Sequence, residues 1–438
     1  MIRRIAIAVV ALFFLGLLGF SFLSWRAAIA PIDRPDPATF SAASVAKGEV
    51  LAAEGHCMSC HIHQGGQPYA GGYGVNTPFG VIYGPNITPD PETGIGRWSL
   101  EAFDRAMHEG VTRDGSHLFA AFPYNAYTEL SGEDVKALYA YLMTRPAVRA
   151  TVPANTVPFP LNVRFLQGGW KLLCFKSKRY EPDSTKDAQW NRGAYLAQAV
   201  TDCGGCHTPR NAIGGEKLRD TYFGAVVDNW IAPGLVKDNP SPIPWTREEL
   251  FTFLRTGVEP LHGATAATMT PTIRDALALP VVPDSDVRAI ARYFSDLNGW
   301  GNGQSDQAEV KEAIDTSSLG SGVNEDPDAV LYSSACMSCH YNRGAVPLPT
   351  RPELALSSAL TLAEPNNFIE AVLKGMGDTD GAPGLVMPAY ASALSDSDIA
   401  RIGAYLRRTR TKLPPWTDLE KKVAAARKEM KGFVLTTE

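Results

Sequence analysis

Six of the seven cysteines in this chain of 438 residues fall into three copies of one pattern, Cys-x-x-Cys-His. Two thiols at this spacing can form thioethers to the two vinyl groups on one porphyrin edge, and the adjacent histidine then reaches the iron. Each copy is therefore predicted to attach one haem c, which gives three covalently bound haem c groups. The predicted cofactor-binding residues are Cys57, Cys60, His61, Cys203, Cys206, His207, Cys336, Cys339 and His340.

Two other uses of paired cysteines fit this pattern less well. A structural zinc site needs two paired elements that converge on one metal, whereas here each cysteine pair carries its own histidine. A thioredoxin-like site expects one pair beside a strand-helix unit rather than three copies. Haem attachment also agrees with an export signal at the N-terminus, because haem c is attached outside the cytoplasm.

A second iron ligand is expected opposite each histidine, and methionine or histidine usually supplies it. Met269 lies two residues before Pro271, and Met387 lies directly before Pro388. We predict both methionines as iron ligands, together with the three histidines of the motifs. His262 is the alternative to Met269.

The first repeat departs from this pattern. Phe122 stands before Pro123 at the equivalent position, and its side chain cannot ligate iron. The sixth ligand of the first haem is therefore left unknown, with His117 as the candidate because it shares the loop. An open sixth position is the alternative, and the other nearby ligand types are His108, Met107 and Met143.

The sequence repeats itself around the motifs. Trp98 and Gly110 recur as Trp245 and Gly257 with the same spacing. Each repeat then closes with a predicted amphipathic helix that begins with Ser or Asp, has early acidic residues and contains a tyrosine. The three tyrosines, which we interpret as core packing, are Tyr141, Tyr293 and Tyr405.

Strand-like alternation is scarce, so the predicted fold is all-α, with three tandem class I cytochrome c domains behind one N-terminal transmembrane helix. Proline-rich and Gly/Ser/Asp-rich stretches mark the linkers. The expected segments are an anchor or signal (1–30), domain 1 (38–149), a linker (150–186), domain 2 (187–300), a linker (301–323), domain 3 (324–411) and a C-terminal helix (412–438).

The N-terminus carries a membrane signal. Arg3 and Arg4 precede an uncharged run, Ile5 to Leu23, that as a helix would rise about 28 Å, close to the thickness of the hydrocarbon core. Pro31 follows the small-residue site Ala28-Ile29-Ala30 and should obstruct cleavage, so we favour a retained anchor over a removed signal. The arginine pair should stay cytoplasmic, which places everything after Trp25 on the far side of the membrane.

Composition narrows the classes of function. Forty-one basic and 46 acidic residues give a net charge of −5, so no global field favours nucleic acid. The chain is 45% hydrophobic and 20% charged, which excludes wholesale disorder. Seven cysteines are too few for a disulfide-dense secreted scaffold.

With these motifs in hand, residues 40–412 resemble the triheme cytochrome c subunits of bacterial membrane-bound dehydrogenases. The stretches Thr77-Pro78-Phe79-Gly80 and Asn191 to Leu196 are similar to family signatures around the first two haems. The resemblance implies an electron-transfer subunit with no catalytic residues of its own, held by its single N-terminal anchor on the periplasmic face of a bacterial inner membrane. It would take electrons from a catalytic dehydrogenase subunit and deliver them to ubiquinone or another respiratory acceptor.

Two branches of that family differ at the first distal loop. Cytochromes of alcohol, gluconate and sorbitol dehydrogenases, whose partners use pyrroloquinoline quinone (PQQ) or flavin, usually show Ala-Met-Pro-Tyr there, whereas this chain has Ala121-Phe122-Pro123-Tyr124. The Phe version, and the end Trp416 to Glu420, resemble cytochromes that accompany molybdenum hydroxylases of nicotinate, isoquinoline or aldehydes. We favour that branch, whose partner carries molybdopterin with an iron–sulfur subunit.

Two further hypotheses come from other classes. Phe122 could leave an open iron in a haem peroxidase, although that chemistry needs polar distal groups and His117 is the one obvious candidate. A single anchor with soluble cytochrome units would also suit a subunit of a haem-copper oxidase.

Overall fold

The computed structural model describes residues 1–236, 239–317, 326–340, 352–377 and 386–434. The end of the expected linker 301–323, the first residues of domain 3 and the last residues of the C-terminal helix lie outside this part of the chain. The fold is mostly helical.

Residues 1–174 contain seven α-helices and one β-hairpin. The helices are α1 (Ile2–Ser24), α2 (Ala42–Glu54), α3 (Cys57–Cys60), α4 (Leu100–Glu109), α5 (Tyr124–Tyr127), α6 (Gly132–Met143) and α7 (Gln167–Cys174), and the antiparallel strands are β1 (Gly74–Thr77) and β2 (Gly80–Tyr83). Short 3₁₀ helices cover Pro37–Thr39 and Arg164–Leu166.

The rest of the described chain continues this pattern. Its helices are α8 (Ala188–Tyr195), α9 (Cys203–His207), α10 (Arg247–Thr256), α11 (Met269–Thr272), α12 (Asp284–Asn298), α13 (Gln307–Ser317), α14 (Pro327–Ala335), α15 (Ser358–Thr361), α16 (Asn366–Lys374), α17 (Asp396–Arg410) and α18 (Leu419–Val434). The strands are β3 (Ala225–Val227), β4 (Trp230–Ala232), β5 (Val258–Glu259) and β6 (Gly263–Ala264). Two π-helical turns (Leu196–Val200, Ile273–Leu277) and two 3₁₀ turns (Leu218–Asp220, Leu354–Leu356) complete it.

The expectation of an all-α fold needs a correction. Three antiparallel hairpins, β1–β2, β3–β4 and β5–β6, lie among the helices. Their strands are two to four residues long, so they are too short to show the alternation by which a strand is recognised in sequence.

A close helix crossing recurs in the first two repeats. A Cβ atom on Gly48 of α2 would lie 2.0 Å from the carbonyl oxygen of Ala137 in α6, and one on Gly193 of α8 would lie 1.9 Å from that of Ala289 in α12. Only glycine permits such an approach. Tyr141 and Tyr293 lie beside these crossings and are buried, and so is Tyr405 in α17, which confirms their interpretation as core packing.

Two of the three closing helices have the serine N-cap that the sequence predicts. The Ser131 side chain accepts a hydrogen bond from the Asp134 amide at the start of α6, and Ser395 does the same for Asp398 at the start of α17. Helix α12 begins after Pro283, which provides no side-chain cap.

Contacts divide the chain into two compact units. The first unit consists of Met1–Asp183, Tyr195–Gly205 and Asn211–Glu216, and the second consists of Ser184–Ala194, Cys206–Arg210 and Lys217–Glu438. Most of the expected second domain and the third thus belong to one unit.

Inside the second unit, a side-chain amide links two repeats. Asn367 at the start of α16 accepts a hydrogen bond from the Ile231 amide at 2.7 Å and donates one to the Ile231 carbonyl at 3.0 Å. Helix α13 lies within the segment expected as a linker, and its Val310 joins Ile243 and Leu356 in a small core cluster. These contacts explain why the two repeats form one unit.

Helix α1 is the one helix in the described chain that is long and apolar enough to cross a membrane. It has 23 residues and a mean hydropathy of 2.6 over its most apolar window, none of which is buried. The expected linker 150–186 also contains a helix, α7.

Candidate haem-attachment sites

Each Cys-x-x-Cys-His motif folds into about one helical turn. Helices α3 and α9 carry the first two motifs, and the third follows α14 with backbone hydrogen bonds from the Cys339 and His340 amides to the Cys336 carbonyl. Residues three apart on a helical turn share a face, so the two cysteines of each motif lie on the same face of their turn.

A sharp bend precedes the first two motifs. His56 and Asp202 each stand directly before the first cysteine, and both adopt left-handed backbone angles, with φ of 40° and 49°. The Asp202 carboxylate then accepts a hydrogen bond from the Gly205 amide at 3.0 Å.

The three motif histidines share one contact. Nδ1 of His61 lies 2.7 Å from the carbonyl oxygen of Pro85, and Nδ1 of His207 lies 2.7 Å from that of Pro233. In the third motif, Nδ1 of His340 lies 3.3 Å from the carbonyl oxygen of Pro352. A carbonyl accepts only from a protonated nitrogen, so Nε2 is left unprotonated and can donate its lone pair to iron.

Burial keeps these imidazoles in the form that binds metal. Burial lowers the pKa of His61, His207 and His340, although the hydrogen bond to the proline carbonyl opposes this shift. The neutral ring is the ligand form.

The cysteines are free thiols. All seven lie in the described chain, and none is in a disulfide. Burial raises the pKa of Cys57 to about 12 and the pKa values of Cys203 and Cys336 to about 11. A reduced cysteine is the form whose S–H can add across a vinyl group to give a thioether.

Aromatic side chains surround the first motif. The Tyr127 hydroxyl donates to the Gly55 carbonyl at 3.3 Å, and the Phe122 ring packs edge-on against Tyr127 with centroids 5.3 Å apart. The hydroxyls of Tyr69 and Tyr141 lie 3.3 Å apart in the same interior. The donor set and this aromatic lining fit a covalently bound porphyrin.

Within the first unit, the residue before the first motif contacts the segment that leads into the second. The His56 side chain interacts with the backbone of Thr201, two residues before Cys203.

Met387 packs against the same core cluster as the start of the third motif. It pairs with Met376 through two backbone hydrogen bonds of 2.6 and 2.8 Å, and Cys336 and Met337 are other partly buried residues that pack against this cluster. Gly375 has φ of 71°, and a Cβ there would lie 2.3 Å from the Met387 carbonyl oxygen, so glycine is required for this pairing.

His262, the alternative to Met269, already uses both ring nitrogens. Nε2 lies 3.2 Å from a Glu249 carboxylate oxygen, Nδ1 lies 3.0 Å from the Ser241 hydroxyl, and the ring stacks on Trp245 at 3.6 Å. Met269 is the first residue of α11 and is partly buried.

Both ring nitrogens of His117 likewise contact residues outside the first motif. Nε2 lies 2.7 Å from the Ser24 carbonyl oxygen at the end of α1, and Nδ1 lies 3.1 Å from the Lys171 ammonium. The ring would have to leave these partners to ligate iron. His108 is also occupied, with Nε2 3.1 Å from the Leu130 carbonyl oxygen.

Sequence reasoning missed the proline carbonyls that orient the histidines. They lie 24, 26 and 12 residues after their histidines, so no fixed spacing marks them. The shared signal was a proline in the loop after each motif.

Comparison with known proteins defines the class. Residues 45–146 match the family model described as cytochrome c, and residues 325–406 match the model of the cbb3-type cytochrome c oxidase subunit III. The chain therefore contains two recognisable cytochrome c domains, which bind haem c covalently.

Similar proteins that match most of this chain show what kind of cytochrome c it is. The chain is 42% identical over 409 residues to a nicotinate dehydrogenase subunit of Pseudomonas putida, in a match that covers 92% of this chain but 34% of that protein. It is 34% identical to the fructose dehydrogenase cytochrome subunit of Gluconobacter japonicus (85% of this chain, 80% of that protein). It is 33% identical to the gluconate 2-dehydrogenase cytochrome c subunit of Pantoea cypripedii (88% and 90%).

The chain thus belongs to the family of cytochrome c subunits of dehydrogenase complexes. Its role is electron transfer rather than catalysis. The chain spans about a third of the length of the nicotinate dehydrogenase relative.

Proposed function

We propose that this chain is a membrane-anchored triheme subunit that relays electrons from a periplasmic molybdenum hydroxylase to ubiquinone or another respiratory acceptor. The proposal that the chain binds three haems rests on one observation. Each of the three motif histidines has Nδ1 directed at a proline carbonyl, which leaves Nε2 for iron in all three motifs. Haem iron would supply reversible one-electron oxidation and reduction.

In this proposal, the protein fixes and tunes each iron. The cysteine pairs would attach the porphyrin, and His61, His207 and His340 would ligate the iron. Met387 and Met269 would supply a second ligand to two of the irons, and methionine raises the reduction potential. Phe122 leaves the first iron without a methionine, so the first haem would have the lowest potential of the three.

The type of partner rests on two observations. Phe122 replaces the methionine that is usual in the alcohol and sugar branches, and the chain is similar to a nicotinate dehydrogenase subunit. Fructose, gluconate and alcohol dehydrogenase cytochromes are also relatives, so a partner with PQQ or flavin is the alternative.

Haem content gives the first test. The intact chain should carry three haems by mass under denaturing conditions, and replacing both cysteines of any one motif by alanine should remove one haem. The Cys174→Ala variant is the matched control, because that cysteine lies outside the motifs, and it should keep all three haems. Two haems in the intact chain would contradict the proposal.

Copurification gives the second test. Affinity purification from host membranes in mild detergent, followed by metal and cofactor analysis, should recover molybdenum with a large subunit and an iron–sulfur subunit. Recovery of PQQ or flavin instead would place the chain in the other branch.

A further inference from the structure

Helix α7 buries a charged side chain and exposes apolar ones, which is the opposite of the usual arrangement in a water-soluble protein. Its lysine, Lys171, is buried, whereas Leu172 and Leu173 are 56% and 78% exposed. The Lys171 ammonium donates to the carbonyl oxygens of Glu109 and Gly110 at 2.6 Å each, and so caps the end of α4. The polar side chain faces the protein, and the leucines face outward.

The chain that leads into α7 presents more apolar side chains. Phe159 is 80% exposed. Further large apolar side chains between residues 161 and 173 are also exposed. We call this stretch the apolar face; its members are Phe159, Leu161, Phe165, Leu166, Leu172 and Leu173. Monomeric soluble proteins rarely expose so many neighbouring apolar side chains.

The apolar face is continuous with the end of helix α1. The Phe165 ring packs edge-on against Phe20 of α1 with centroids 5.2 Å apart. Gly168 and Gly169 let α7 approach closely, because Cβ atoms there would lie 2.5 Å from the Ser24 hydroxyl and 3.1 Å from the Phe20 ring. If α1 spans the bilayer, α7 lies where α1 leaves it.

The side chains around this junction suit a lipid interface. Trp25 follows α1 and is exposed, as is typical of tryptophans at the level of lipid headgroups. Arg26, directly after Trp25, and Lys176, two residues after α7, are both exposed and provide positive charge for anionic lipids.

We propose that the apolar face is a second membrane contact, in which α7 and the preceding segment lie in the periplasmic interface of the bilayer beside α1. This inference rests on the membrane anchoring in the proposed function. The bilayer buries the two leucines, while Lys171 remains inside the protein and ties the membrane contact to the end of α4.

Photocrosslinking to lipid tests this inference. The full haem-loaded chain is reconstituted in vesicles of phosphatidylethanolamine and phosphatidylglycerol, with p-benzoylphenylalanine in place of Leu173, Phe13 of α1 or Val226 of β3. Val226 is the matched control because it is an exposed apolar residue outside the face. We expect lipid adducts at positions 13 and 173, several-fold above those at 226.

Crosslinks at positions 13 and 173 distinguish the spanning helix α1 from the second membrane contact. Adducts at 13 but not at 173 would overturn the second contact and leave the anchor intact, and so would crosslinks from 173 to a protein. Adducts at 173 but not at 13 would support the second contact while refuting the spanning helix. Adducts at neither position would overturn both.

A second experiment tests whether α7 holds the face on the membrane. With the crosslinker at Phe159, the double variant L172E/L173E should lose most of the lipid adduct, whereas V226E should keep it. All these side chains are exposed, so the haem spectrum should be unchanged. Equal adduct yields in the two variants would contradict the proposal.

Discussion

Nδ1 of His61 lies 2.7 Å from the carbonyl oxygen of Pro85, and this contact is made possible by the residue before the proline. A Cβ on Gly84 would lie 1.9 Å from the Cys60 carbonyl oxygen, so only glycine lets the loop reach the histidine. The orientation of the His61 ring thus depends on a glycine 23 residues further along the chain.

The Gly84→Ala variant should raise the reduction potential of one haem. Displacing the Pro85 carbonyl removes the hydrogen bond that makes the imidazole a stronger donor, and a weaker donor stabilises ferric iron less. Spectroelectrochemical titration measures the three potentials. Gly132→Ala is the control, since a Cβ at Gly132 meets no atom within 4 Å. Three unchanged potentials in Gly84→Ala would contradict the expectation.

The Met387→His variant should lower the potential of the third haem and remove one methionine–iron charge-transfer band, because methionine ligation raises the potential. Met376→Leu is the matched control, since Met376 pairs with Met387 through the backbone alone. If Met376→Leu removes the band and Met387→His does not, Met376 is the ligand instead.

The Glu249→Gln variant should lose stability in a pH-dependent way. Burial alone would raise the pKa of Glu249, but hydrogen bonds from His262 and Ser305 prevail and lower it to about 2 from an ordinary 4.5. The folded state therefore gains stability from the carboxylate above pH 4.5 and loses it as the pH falls toward 2.

Denaturant titrations of Glu249→Gln at pH 7 and pH 3 measure this effect. We expect a loss of about 1–3 kcal/mol at pH 7 and a smaller one at pH 3. Glu248→Gln is the control, because Glu248 makes an exposed ion pair with Arg288, and its effect should be under about 1 kcal/mol. A pH-independent loss in Glu249→Gln would refute the role of the charge.

Lys171 should make the stability of the first unit rise with pH. Burial lowers the pKa of Lys171 to about 7 from 10.5, so between these values the unfolded chain binds more protons than the folded one. Stability therefore increases from pH 7 to pH 9, by on the order of 1–2 kcal/mol. Lys171→Met, followed by circular dichroism in denaturant, should lack this increase. Lys176→Met, at an exposed lysine, should keep it.

The haem-attachment chemistry could be predicted from the sequence, whereas much of the geometry around the motifs could not. Three pentads of the form Cys-x-x-Cys-His predict haem attachment, because covalent bonding requires fixed residue types at a fixed spacing. Helices α6 and α17 could be predicted from their serine caps and acidic first turns. The three tyrosines are buried where the helical periodicity placed them.

Other features had no local sequence signal. The proline carbonyls act through the backbone, so neither residue type nor spacing identifies them. His117 and His262 share loops with the expected ligand positions, but their partners Ser24, Lys171 and Glu249 come from segments far from those loops or from another helix. Helix α7 carries its apolar side chains outward, against the rule by which helices are assigned to a core.

The Asn367 amide has a consequence for solubility. Ile231 belongs to a two-stranded sheet, whose outer backbone groups would otherwise be open to pairing with a strand of another molecule. Asn367 satisfies both the amide and the carbonyl of Ile231, and so occupies the place of a third strand. A single side chain thereby closes this sheet edge at Ile231 against edge-to-edge aggregation.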